Sequence, residues 1–274
     1  MKRKHISYIA CSIIAFAVCT IVLSPILWLL FASFRVPRDF LHMPPNFAGS
    51  FILTNYTSLL ELPRIPRFFQ NSITVAVIGA FLCCAMASLL AYSLTRYKFP
   101  LRRAFASMYL VLRMLPGIMI ILPIFIVVSN VGMLDSLIPL ILCYIVAQFP
   151  IATWMMQSFF RELPVNIEES AKIDGCNRLQ AMMIIAYPLS ITGITTTFVF
   201  VFINMWNEFF FARLLTITSA VTLPLGILQL TSMYATEWGR IAAFAMLIIA
   251  PVLIIAFATQ KYLVRGMTMG ALKG

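Results

Sequence analysis

Six apolar runs, at residues 8–34, 72–95, 105–129, 137–158, 189–211 and 241–262, occupy most of the chain. Each meets the requirement of about 20 mainly apolar residues for a helix that crosses the hydrocarbon core of a bilayer. In that solvent an open strand or an irregular loop leaves backbone groups unpaired, so apolar runs of this length fold as helices. The chain is 11% charged and 62% hydrophobic, with a mean hydropathy of +0.97, whereas soluble domains are about 25% charged. The fold class is therefore an all-α membrane protein with six transmembrane helices, forming one transmembrane domain over residues 1–274. No stretch between the runs is both long and polar enough for a separate soluble domain.

A net charge of +11 in a soluble chain would point to nucleic acid. In a membrane chain, basic residues hold loops on the cytoplasmic side, and no nucleic-acid partner is expected. With the N-terminus inside, thirteen Lys and Arg fall in cytoplasmic pieces against six in external ones, which favours N-in and C-in. The basic start and first run resemble a signal peptide. The run is about twice the 7–15 residues of a signal core, so it is expected to remain as the first span. The external loop after it should carry a short interfacial helix near Tyr56–Leu62. Residues 214–232 are apolar enough for a seventh span, but that would carry Lys261, Arg265 and Lys273 outside. Their Pro224, Gly226 and hydroxyls suit a broken, partly re-entrant segment.

The cysteines have no zinc spacing and form no plausible external pair, so neither metal nor disulfide is expected. His5 and His42 lie at a terminus and in an external loop, both read as solvated. No Gly is followed by Lys, which excludes the phosphate-cradling loop of an ATPase. No catalytic residues are expected.

The most hydrophilic internal stretch, EESAKIDGCNRLQAMMIIAYP at 168–188, follows FFRELPVN and completes the cytoplasmic loop 159–188. Locally it reads helix, turn, helix. Asn166 can cap a first helix with Glu169 reaching back, Gly175 stands at the left-handed stop position, and a second helix can run from Asn177 or Arg178 to Ala186. A generic loop could look much the same. The spacing is more specific: Glu169, Ala171, Asp174, Gly175, Ile185 and Pro188 resemble, in order and register, the EAA loop of binding-protein-dependent ABC importer permeases. Ser170 stands where Ala is usual and Tyr187 where Leu is usual. The ending LVRGMTMGALKG, the residues around Trp206-Asn207 and Gly132, and Leu223–Gly226 resemble the maltose-type, carbohydrate-uptake permeases of that family. The resemblance covers essentially the whole chain.

It implies a type I ABC importer permease fold in a bacterial or archaeal plasma membrane. Partners would be a second homologous permease, two copies of a P-loop ATPase, an extracytoplasmic solute-binding protein, and lipid. ATP and Mg would sit on the ATPases, with no cofactor on this chain. The loop would be a coupling helix: Glu169 meeting a basic residue of the ATPase, Ser170 and Ala171 allowing close approach, Asp174 bracing the turn or the second helix, Gly175 making the turn, and Pro188 leading into the fifth span. In the tail 263–274, Gly266, Gly270 and Lys273 would contact the ATPase dimer. The implied cargo is a sugar or oligosaccharide.

Besides Lys261 at the cytoplasmic end of the last run, two charges fall within the runs. Arg113 could line a water-filled path or snorkel to the cytoplasmic interface. Glu208, beside Asn207 at the outer end of the fifth span, could face the translocation path, contact a binding protein, or pair with Arg213. Phe209–Phe211 reads as lipid-facing or packing surface rather than a sugar platform. Apart from Glu208 the acidic residues lie between spans. That argues against an ion-gradient secondary transporter, the chief rival, and a non-transporting scaffold would leave the loop spacing unexplained.

Overall fold

The computed structural model describes residues 2–36, 49–100, 102, 104, 111, 117–231 and 238–269, and every regular element among them is helical. In chain order these are α1 (Lys2–Ser33), α2 (Thr54–Leu60), α3 (Arg64–Arg96), α4 (Gly117–Asn130), α5 (Leu137–Glu162), α6 (Val165–Ile173) and α7 (Arg178–Ala181). A π turn (Met182–Ala186) then leads to α8 (Tyr187–Leu189), α9 (Ile191–Trp206), α10 (Phe210–Leu215), α11 (Leu223–Thr231) and α12 (Trp238–Met269). Four helices among the described residues are long and apolar enough to cross a membrane: Cys11–Ser33, Arg64–Arg96, Leu137–Glu162 and Trp238–Lys261. A fifth candidate is the bent pair Arg178–Leu189 and Ile191–Trp206.

The helices follow the apolar runs, with differences at the ends. A short helix forms at Thr54–Leu60, overlapping the stretch where an interfacial one was expected. Most of 105–116 lies outside the described residues, and α4 supplies the rest of that run. The fifth run stops at Trp206, and the chain re-forms as α10 only after Asn207–Phe209. The helix α12 continues to Met269, so much of the expected tail is helical. No continuous helix spans 214–232. Residues 216–222 are irregular and the nine-residue α11 follows, about 14 Å at 1.5 Å per residue, too short to cross a core of about 30 Å.

The chain divides into two compact units, Met1–Pro66 with Ile227–Pro251, and Arg67–Gly226 with Val252–Gly274. In the first, Arg35 is buried at the end of α1. Its guanidinium lies 4.5 Å from the Phe31 ring centroid and 4.6 Å from that of Phe51, a cation–π arrangement favoured where water is excluded, and it donates to the Gly49 carbonyl. Asn55 of α2 donates to the carbonyls of Ser33 (2.8 Å) and Arg35 (3.0 Å), tying α2 to the end of α1.

In the second unit α9 lies along α5. The approach is close at Gly193, where a Cβ would sit 2.2 Å from the Phe159 ring. The buried Thr153 and Thr197 donate to the carbonyls of Phe149 and Gly193, each 2.8 Å away. Hydroxyls that bond one turn back need no water. Trp206, 1% exposed, stacks on Phe202 and meets Phe69 of α3 edge-on.

Candidate functional site

The first residues of the expected 159–188 loop, up to Glu162, still belong to α5, which stops there. Leu163 is extended (φ −72°, ψ 128°) because it precedes Pro164, and α6 begins at once at Val165. Asn166 therefore lies inside the helix, where its carbonyl accepts from the Ser170 hydroxyl (3.0 Å), and the Asn166 cap read from the sequence does not form. The capping box falls at the next helix: Asn177 Oδ1 accepts from Gln180 N–H (2.9 Å) and Gln180 Oε1 from Asn177 N–H (2.8 Å). Between the two helices Gly175 has φ +94°, and Cys176 N–H donates to the Ala171 carbonyl at 3.0 Å. This is the six-to-one bond of a Schellman stop. The second helix is shorter than read, because α7 passes into the π turn after four residues. At Ser190 the chain bends by 79° into α9. Pro188, which lacks an N–H, and the adjacent π turn are the physical causes of such a kink.

What holds the loop was not read from the sequence. Glu168, 2% exposed, lies 2.7 Å from Arg96 Nη2 at the end of α3. Its Oε1 also accepts from Arg96 Nε (2.8 Å), and its Oε2 from the Tyr92 hydroxyl (2.7 Å). Arg96 Nη2 further donates to the Leu163 carbonyl (3.1 Å). The guanidinium of Arg178 lies 5.1 Å over the Tyr97 ring. Tyr92 meets Phe160 edge-on, and Phe160 stacks on Tyr187 at 6.1 Å. Tyr187 also shares a hydrogen bond with Ser88 of α3. Tyr187 thus has two partners, Phe160 and Ser88. The Glu168–Arg96 pair spans 72 positions, and no local pattern announces it.

With Glu168 turned inward, Glu169, Ser170 and Asp174 are exposed. Ala171 lies with Glu168 on the inward face (6% exposed) and Ile173 on the outward one (86% exposed). The Asp174 backbone N–H donates to the Ser170 carbonyl at 3.0 Å. Bracing by its carboxylate has no described bond behind it. Ile167, Leu179, Met183 and Ile184 add exposed apolar surface along the loop. Pro188 and Tyr187 border an apolar cavity of about 820 Å³ that also touches Phe81, Ser88, Ile191 and Phe198.

Of the remaining candidates, Asn207 and Glu208 lie between α9 and α10 rather than at the loop. Asn207 is exposed, and its side chain donates one turn back, to Ile203 O (2.9 Å). The Glu208 carboxylate accepts from the N–H groups of Phe210 (2.9 Å) and Phe211 (3.1 Å) at the start of α10, so it caps that helix rather than pairing with Arg213. Gly266 lies in α12. Arg113, Gly270 and Lys273 lie outside the described residues.

Residues 84–269 match the family model described as "Binding-protein-dependent transport system inner membrane component". A probable ABC transporter permease protein of Sinorhizobium fredii is 34% identical over 255 residues, covering 92% of this chain and 91% of that protein. A trehalose/maltose transport system permease protein of Thermococcus litoralis is 32% identical over 278 residues, covering 100% of each. Among solved structures, a chain of a bacterial ABC transporter involved in import of the acidic polysaccharide alginate superposes with a TM-score of 0.79, at 20% identity and over 96% of this chain and 98% of that one. At that identity the superposition speaks for the fold alone. With the all-helical architecture and its apolar spans, these matches place the chain in the family of binding-protein-dependent transport system inner membrane components, as a multi-pass permease component of an ABC importer.

Proposed function

We propose that this permease carries a carbohydrate, and that residues 159–188 are its coupling element. It works beside a second homologous permease, two P-loop ATPase subunits that hold ATP and Mg, and an extracytoplasmic binding protein. The observation that carries the reading is the two-faced character of α6. Glu168 is bolted to Arg96 and Tyr92 on one face, while Glu169 and Ile173 stand exposed on the other. A nine-residue helix is marginal alone. Held by a buried ion pair it can transmit a push from a partner as rigid-body motion to α3 and α5, which is what ATP-driven switching between inward- and outward-facing states requires. On this reading Glu169, Ser170 and Asp174 meet the ATPase with Ile173. Ala171 lets α6 sit close on its own chain, Gly175 turns the loop, and Pro188 sets its exit. Gly266, Gly270 and Lys273 extend toward the ATPase dimer, with the N- and C-termini inside. Arg113, Asn207 and Glu208 are assigned to the path or its outer rim.

The sugar assignment is supported by relatives named for trehalose and maltose and diacetylchitobiose transport. The test is purification of the tagged chain from its native membrane with mass spectrometry of what accompanies it, for wild type, Glu169→Lys and Ile173→Asp. Both substitutions are at exposed positions and should leave the fold intact. A P-loop ATPase recovered with wild type and lost from both variants is the expected result, whereas retention in both refutes the coupling assignment. Trehalose, maltose and an acidic sugar titrated against the binding protein that co-purifies then decide the cargo class.

A further inference from the structure

The segment 216–222, between α10 and α11, is held from two sides. On one side stands Asp135, in the turn between α4 and α5, with the left-handed φ of 60°. Its own N–H donates to the Leu215 carbonyl (2.8 Å). Its Oδ1 accepts from four consecutive backbone N–H groups: Ile217 (2.9 Å), Thr218 (3.1 Å), Ser219 (2.9 Å) and Ala220 (3.0 Å). Its Oδ2 accepts from Ser219 N–H (2.8 Å) and the Thr218 hydroxyl (3.0 Å). On the other side Asn71 of α3 donates to the carbonyls of Ser219 and Val221, both at 2.9 Å, and Ser72 accepts from Leu223 N–H at 2.7 Å. Successive N–H groups converging on one point form an anion nest, and here the chain fills it with its own carboxylate. The same hydrogen bonds outweigh the effect of burial, which alone would raise the pKa, and hold the carboxyl well below the ordinary range.

We propose that Asp135 is a positioning residue of the transport cycle. Its carboxylate makes residues 216–222 a rigid part of the α3–α5 body, so that their exposed tip at Ile217 and Thr218 presents one fixed surface to the extracytoplasmic binding protein. The proposal rests on the permease reading above and on the N-in orientation, which puts this segment outside. An exposed irregular segment would ordinarily exchange its amide protons fast. Four N–H groups bonded to one carboxylate should not. Removing that carboxylate leaves a vacant nest of a size and polarity to take a small carboxylate from solution.

The experiment is amide exchange across 215–223, read by mass spectrometry on the purified complex in nanodiscs, with ATP hydrolysis measured on the same sample. In wild type, the amides of 217–220 exchange slowly both without nucleotide and after trapping with ATP and vanadate. In Asp135→Ala their exchange rises about tenfold or more. Formate at about 100 mM, acting by mass action, restores most of the protection, and chloride at equal ionic strength does not. Basal ATP hydrolysis stays near the wild-type rate. The concentration of co-purified binding protein giving half-maximal stimulation rises several-fold and returns with formate, a rescue that general loosening would not give. If the alanine variant does not assemble, Asp135→Asn, of equal size, carries the test through faster exchange confined to 217–220. Fast exchange in wild type, or an alanine variant that hydrolyses ATP but is indifferent to formate, overturns the proposal. A chain that purifies without an ATPase instead refutes the permease coupling, while exchange at 217–220 still decides the clamp.

Discussion

Breaking the Glu168–Arg96 pair should loosen α6 far more than an ordinary surface ion pair would suggest. Both side chains are largely sequestered, 2% and 10% exposed. Exposed pairs contribute about 0.2–1 kcal/mol, but removing one partner of a buried pair costs about 3–5 kcal/mol because the other charge is stranded. Arg96→Met leaves the Glu168 carboxylate with only the Tyr92 hydroxyl. Local opening of α6 then becomes easier by about a hundredfold to a few thousandfold, since each 1.4 kcal/mol is tenfold. Glu168→Gln keeps the Tyr92 bond and leaves Arg96 the Leu163 carbonyl, so it costs less, about 1.5–3 kcal/mol. The double variant Arg96→Met with Glu168→Leu removes both charges together. It leaves the Tyr92 hydroxyl without its acceptor and the Leu163 carbonyl without its Arg96 donor, a loss of about 1 kcal/mol each. Amide exchange of α6 in nanodiscs should therefore rank wild type slowest, then the double variant, then Arg96→Met. Exchange in Arg96→Met within about threefold of wild type would place the pair in the exposed class. A double variant faster than Arg96→Met would show that stranded charge is not the cause. Either result refutes the reasoning.

Four further outcomes follow from the same geometry. Gly193→Ala drives a methyl into the Phe159 ring at 2.2 Å and should destabilise the α5–α9 contact by about 1–3 kcal/mol. Gly175→Ala meets no neighbouring atom and bears only the left-handed strain, about 1–2 kcal/mol, so exchange should rise around Gly193 in the first variant and around Gly175 in the second. Asn177→Ala removes one half of the capping box and should fray α7 by about 1 kcal/mol, seen as faster exchange at Gln180 and Ala181. Because the Asp135 carboxyl is held below its ordinary pKa, its contribution is complete above the unfolded value of about 4 and lost as pH falls through the folded one. Protection at 217–220, corrected for intrinsic rate, should therefore be flat from about pH 5 to 8, and a midpoint in that window would contradict the nest.

The spans were legible because bilayer thickness sets a length that the apolar runs either meet or fail. The stop at Gly175 was legible because few residues other than glycine take a left-handed conformation without strain. What escaped was long-range polar pairing. Glu168 sits beside Glu169 in the sequence, and only the packing of α6 on α3 decides that the first is buried and the second exposed. Asp135 read as one more loop acid, because a nest 82 to 85 positions away leaves no mark on its neighbours. Asn166 was a better cap by composition than Pro164 allowed: the helix starts at Val165, two residues earlier than an Asn166 cap would set it, and the capping box forms at Asn177 of the next helix.

The two polar clamps share one helix. Asn71 and Ser72 near the start of α3 hold the 216–222 segment, and Tyr92 and Arg96 at its end hold α6. Between residues 71 and 96 the helix runs unbroken and without proline, a length of about 37 Å at 1.5 Å per residue, more than the hydrocarbon core of about 30 Å. A helix with every backbone bond closed inside the bilayer bends little, because opening any of them there has no water to compensate it. On the coupling role proposed for α6, motion imposed there would be delivered along α3 to the opposite end rather than absorbed in between. The buried small residues Ala76, Ala80, Ala87 and Ala91 on α3 let neighbouring helices approach closely, as small residues do where lipid supplies no hydrophobic drive between helices. In this arrangement the loop and the distant segment are coupled by one strut anchored with charge at one end and amide hydrogen bonds at the other. Weakening either anchor should uncouple the two ends without unfolding the strut.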